Sequence, residues 1–124
     1  MIIGVGTDLV SVPRLRRAVH RRDRLLTRLF TEAEVNECRR RADPAPHLAA
    51  RFAAKEACLK ALQTGWGGGI RWREVEVAGG GAEAPRLILR GAAAARASAL
   101  GVRQTHLTLS HEGEYALAVV ITTG

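Results

Sequence analysis

The chain has 124 residues, 47 % of them hydrophobic and 4 % aromatic, with a formal net charge of +7, which fits one folded domain with a modest core and no long polar linker. No apolar run nears the ~20 residues of a membrane span, and the opening MIIGVGTDL lacks the basic region and long apolar core of a signal peptide, so a cytoplasmic protein is expected. Cys38 and Cys58 stand apart from any CxxC or Cys/His spacing, which suggests neither a zinc site nor a disulfide framework and reads as two reduced structural thiols.

Residues 2–6 read as a short buried strand with Thr7 and Asp8 at its exit, before Ser11 and Pro13 open a first helix. The basic character is concentrated next. Between Arg14 and Arg28 there are seven arginines and one acid, Asp23, which leaves +6 of the total +7 in that segment. Arg14, Arg17, Arg21, Arg24 and Arg28 alternate by three and four, so a largely helical segment lines them on one face while Val12, Leu15, Val19, Leu25 and Leu29 turn inward. Such a stripe suits an acidic partner, either a phosphate backbone or a negative protein helix. Arginine enrichment alone also fills a solvated face, but the near-neutral remainder of the chain argues against a uniform bias. The segment holds no aromatic for base stacking, Phe30 being the nearest, and no zinc-finger or RNP-type motif is present.

A second helix is predicted over 31–41 from the capping-box pattern of Thr31 and Glu34. A long helix follows over 46–63, with Asp43 and Pro44 as N-terminal residues and Gly65 placed for a left-handed cap. Leu48, Phe52, Leu59 and Leu62 recur near one of its faces, and alanines keep much of the rest slim. Glu56 and Lys60 lie one turn apart beside Phe52 at the border of that face, where partial desolvation would strengthen charge chemistry. An ordinary surface pair at this spacing contributes only ~0.2 to 0.5 kcal/mol. A carboxylate and an ammonium held there could instead take a metal and a phosphate.

The glycines of GWGGG, 65–69, match neither phosphate-loop fingerprint and end a helix rather than open one. Strands are predicted over 72–77 and 86–89, joined through Gly79, Gly80 and Gly81. An alanine-rich helix between Gly91 and Gly101 comes next, then strands over 105–109 and 115–122 around a tight turn at 111–114. His111, at that corner, could donate to a phosphate, though a single histidine in a turn is commonly just a surface residue. The terminal YALAVVIT is apolar enough for burial on both faces. Without a βαβ rhythm the expected fold is α+β, with antiparallel strands and hairpins packed against a long central helix.

Three segments taken in order, GVGTDLV at 4–10, RFAAKEACLKAL at 51–62 and LSHEGEYALAVV at 109–120, resemble holo-(acyl-carrier-protein) synthase, the short homotrimeric type of 4'-phosphopantetheinyl transferase. The resemblance covers essentially the whole chain. It implies a single transferase domain over 1–124 that moves phosphopantetheine from coenzyme A to a serine of an apo acyl carrier protein, releases 3',5'-ADP and uses Mg2+. Asp8 and Glu56 match the family's metal-binding carboxylates, and Lys60 its lysine at the leaving phosphate. Glu56 is also a candidate base for the serine hydroxyl. Arg51, Ser110 and His111 fall on positions that hold the nucleotide end, and Pro85 near the adenine. Arg14, Arg21, Arg24 and Arg28 fall on the helix that receives the carrier's acidic helix, and Arg16, Arg17 and Arg22 make it more basic still. A coenzyme A pocket between adjacent subunits is implied as well. The competing readings are a small nucleic-acid-binding module and a catalytically silent carrier-binding homologue. The first needs the arginines but not Asp8, Glu56 or Lys60, and the second would ordinarily have lost one of those carboxylates.

Overall fold

A computed structural model describes residues 1–65 and 68–124. Trp66 and Gly67, two residues of the glycine-rich stretch, lie outside the described residues. Strand β1 (Ile2–Ser11) runs five residues beyond its predicted end at Gly6. It runs on because it pairs with the C-terminal strand as far as Ser11, and the long helix, which spans Ala45–Ala61, lies against it. A Cβ on Gly4 or Gly6 would collide with the carbonyl oxygen of Ala61 or Ala57, so only glycine lets the helix lie against the strand backbone. Asp8 therefore sits inside the strand rather than at its exit. Pairing continues to Ser11, whose hydroxyl then accepts from Arg14 N and caps α1 (Val12–Arg21).

Helix α1 does not run on through the arginine stripe. The chain becomes extended at Arg22 and restarts as α2 (Leu25–Leu29), which turns Leu25, Leu26 and Leu29 into the core beside Val12 and Leu15. Helix α3 (Glu32–Arg39) begins with both halves of the predicted Thr31/Glu34 capping box. The long helix is α4 (Ala45–Ala61), preceded by Asp43, whose carboxylate accepts from Ala45 N at 3.2 Å. Its left-handed terminal residue is Gln63, at φ 57°, rather than Gly65. The helix ends two residues earlier than predicted, and Arg96 clasps the freed Leu62 and Gln63 carbonyls at 3.0 and 3.2 Å.

Strands β2 (Val75–Ala78) and β3 (Arg86–Leu89) form an antiparallel pair. Residues 72–74, predicted as strand, instead make a 3₁₀ turn that Glu74 caps through Arg71 N. Helix α5 (Gly91–Ala99) leads to β4 (Gln104–Glu112) and β5 (Tyr115–Thr123). These two strands are longer than predicted, so His111 belongs to β4 and the turn is confined to Gly113 and Glu114. The larger sheet has the order β1-β5-β4, antiparallel throughout. In β5 Ala116, Ala118, Val120 and Thr122 are buried against α4, whereas Leu117 on the other face is 40 % exposed. Burial of this strand on both faces is therefore not met within one chain.

The predicted apolar face of α4 is divided between two cores. Leu59 and Leu62 pack with the sheets and α5, and Leu48 and Phe52 with α1, α2 and α3. Its alanines are buried nearly all round because this helix is the centre of the molecule. The α+β expectation, with strands and hairpins on a long central helix, is met.

Candidate active site

Asp8, Glu56 and Lys60 line one cleft of about 540 Å3, together with Arg14, Leu15 and Phe52. Asp8 lies on the β1 face that meets α4, like Gly6 and Gly4 two and four residues before it. Lys60 spans the helix–strand seam, donating to the Thr7 carbonyl at 2.9 Å and lying 3.4 Å from Asp8 Oδ1. The lysine side chain is 55 % exposed and the aspartate 20 %, so the partial desolvation expected for Glu56 and Lys60 holds for Glu56, which is half-buried, but not for Lys60. The exposed contact with Asp8 contributes at most ~1 kcal/mol. Among the described residues no three His, Cys, Asp or Glu side chains converge. A cation at Asp8 and Glu56 would thus have two hard carboxylates and complete its shell with water and ligand oxygens, a donor set suited to Mg2+.

A second group lies elsewhere. Arg51 is 4 % exposed, donates from Nη2 to the Gly79 carbonyl at 2.9 Å, and buries its Nε without a hydrogen-bond partner. Pro85 is half-buried beside Gly79 in the same hairpin. His111 meets His47 edge to face, with ring centroids 5.3 Å apart. His47 titrates below the usual imidazole range, first through burial and then through Arg41, His111 and Arg51, with Asp43 pulling the other way. Ser110, next to His111 on β4, projects to the opposite face of the sheet and does not join this group.

The two groups are on different sides of α4. Arg51 and Glu56 are five residues apart, about 140° around a helix. Asp8 and His111 lie on β1 and β4, the outer strands on either side of β5, where Asp8 pairs with Ala118 and His111 with Ala116. One chain therefore presents two separate groups, carboxylates with lysine at one sheet edge and an arginine–histidine cluster at the other.

Arg14, Arg21, Arg24 and Arg28 are all exposed, and Arg14 also borders the carboxylate cleft, which joins the basic surface to it. Arg16 is drawn off this surface by a bidentate pair with Asp43 at 2.8 and 2.9 Å. Residue patterns gave no separate notice of Lys55, which is wholly buried. Its ammonium bonds Glu34 at 2.9 Å and the Trp72 and Val75 carbonyls at 3.1 and 2.6 Å, while Glu34 accepts from Val77 N. Burial drives the Lys55 ammonium below its usual range against the pull of Glu34. His47 was also missed, though its place four residues before Arg51 is a legible signal. The thiols of Cys38 and Cys58 are buried and free, and burial pushes them up to about 11 and about 12, which leaves them inert as expected.

Comparison with known proteins identifies the family. The sequence profile of the 4'-phosphopantetheinyl transferase superfamily matches residues 4–120, and the chain belongs to that family. It is 49 % identical over 125 residues to the holo-[acyl-carrier-protein] synthase of Desulforudis audaxviator, covering all of this chain and 95 % of the relative. The crystal structure of the holo-[acyl-carrier-protein] synthase of Neisseria meningitidis superposes with a TM-score of 0.89 at 31 % identity, all of both chains being covered. That of Bacillus anthracis, solved in complex with CoA (3',5'-ADP), gives 0.79 at 31 % identity, covering 98 % of this chain and 96 % of the other.

Proposed function

We propose that this chain is a holo-(acyl-carrier-protein) synthase, a single transferase domain over residues 1–124 that carries phosphopantetheine from coenzyme A to a serine of an acidic apo carrier protein of lipid synthesis in the cytoplasm. The observation that carries the reading is the convergence of Asp8, Glu56 and Lys60, from β1 and α4, in one cleft that continues into exposed Arg14. Full-length similarity to proteins named for this activity supports it.

The serine oxygen forms a bond to the phosphorus next to pantetheine, and the bond from that phosphorus to the oxygen of 3',5'-ADP breaks. Mg2+, held by Asp8 and Glu56, would neutralise the pyrophosphate and stabilise charge on the leaving group. Lys60, tethered to Thr7 but exposed, follows the leaving phosphate and offsets its growing charge. Glu56 takes the serine proton, directly or through one water. Arg51 and His111 hold the nucleotide end, with Pro85 beside the base, while Arg14, Arg21, Arg24 and Arg28 dock the carrier. The separation of the two groups supports a homotrimer in which the carboxylates of one copy work with the arginine–histidine cluster of the next.

The test is the intact mass of an apo acyl carrier protein after incubation with this protein, coenzyme A and Mg2+. A gain of one phosphopantetheine, abolished by EDTA and by Glu56→Gln with the circular dichroism spectrum retained, is expected. Full turnover by Glu56→Gln would remove the central assignment, and no gain across several carriers would favour a silent homologue or a nucleic-acid binder.

A further inference from the structure

Four nitrogen-bearing side chains converge where the first turns of α4 meet the end of β4 and the β2–β3 hairpin. Arg51 is buried with an unpaired Nε, and its other end is fixed on Gly79 with Gly80 beside it. His47 and His111 stack edge to face. Arg41, before α4, bonds the Gly80 carbonyl at 3.3 Å. The charged and titratable groups that act on His47 are Arg41, Arg51, His111 and Asp43. Asp43 is the single acid among them, and its carboxylate is already held bidentately by Arg16. A second carboxylate, Glu37, lies beside Arg41 at Gly81 and is paired with Arg40 at 3.3 Å. Cations whose neighbouring carboxylates are already engaged, one of them buried with a donor unused, form a site open to a further anion.

We propose that His47 is a second imidazole of this anion grip, taking up a proton when the 3'-phosphate of coenzyme A enters beside His111 and Arg51. The inference rests on the transferase reading. The phosphate monoester is the one dianionic group at the nucleotide end of coenzyme A, and so the ligand group this cluster suits best. In the free protein a charge on His47 would face two arginines, and it also sits in the first turn of α4, where the helix dipole disfavours a cation. The imidazole is accordingly held neutral below its usual range. A dianion reverses the sign of that environment and gives a protonated His47 a charge-assisted hydrogen bond. Because the bound state holds the extra proton, affinity is greatest on the acid side. It falls as pH rises between the titration of His47 in the free protein and in the complex.

The experiment is calorimetric titration of the full chain with 3',5'-ADP from about pH 6 to about pH 8, in two buffers of different protonation enthalpy, with 5'-AMP as the ligand lacking the 3'-phosphate. Proton uptake is expected with 3',5'-ADP and not with 5'-AMP. His47→Gln and His47→Phe should both abolish it and weaken binding roughly 3- to 10-fold at the acid end, converging on the parent at the alkaline end. Tight binding without uptake, or uptake unchanged in both variants, would overturn the role of His47 while leaving the transferase reading intact. No binding of 3',5'-ADP or coenzyme A by the parent protein would overturn both.

Discussion

Lys55 and Glu56 are neighbours in sequence with opposite duties. The lysine is wholly buried and saturated by Glu34 and two carbonyls, whereas the glutamate lines the cleft. Glu34 binds Lys55 through one oxygen and Val77 N through the other, so α3, α4 and β2 meet on this pair. The pair thereby sets the rotation of α4 and with it the direction of Glu56. Breaking such a pair leaves an uncompensated buried charge, and Lys55→Met should lower unfolding stability by ~3 to 5 kcal/mol in a urea titration. A loss under ~1 kcal/mol would mean that packing alone orients the helix. Sequence pattern could not separate the two residues, because an i, i+4 reading of Glu56 and Lys60 says nothing of which neighbour finds Glu34 across 21 positions.

At the scale of elements, N-terminal caps were the most legible, whereas the left-handed cap expected at Gly65 falls to Gln63. Ser11 and the Thr31/Glu34 box start their helices where predicted, since each is a local hydrogen bond written in adjacent residues. Strand ends were not, because β1, β4 and β5 extend by pairing with one another, a tertiary effect. The break at Arg22 was missed for a similar reason: the arginine spacing suits one continuous helix, while burial of Leu25 and Leu29 demands a new direction. Arg21 and Arg24 consequently sit on either side of a corner rather than on one straight face. Arg21→Glu should raise the carrier KM roughly 10-fold or more at low salt with kcat little changed, and the difference should shrink as salt is added. An unaltered KM would place the carrier elsewhere. The site residues were legible to a different degree: Asp8, Glu56 and Lys60 converge as the motifs implied, while Ser110 turns to the sheet face opposite His111.

At the scale of the whole molecule, one sheet face is left uncovered among the described residues. Leu9 pairs with Leu117, and the two are 60 % and 40 % exposed. Val5 and Tyr115 on the same face are 58 % and 52 % exposed. An apolar surface built from two strands suits association, and it lies between the edges that carry the two groups of polar side chains. Leu117→Asp is expected to give a folded monomer by analytical ultracentrifugation that no longer transfers phosphopantetheine; a variant still active as a monomer would show that one chain holds a complete site. The placement of Asp8 and His111 on outer strands of one sheet also has a bearing on timing. If the two groups meet only between copies, a chain newly released from the ribosome is chemically blank, and its first encounters with its own kind switch it on. Supply of active enzyme then rises more steeply than supply of polypeptide when copies are scarce, so that modest changes in expression near that threshold act as a valve on carrier modification.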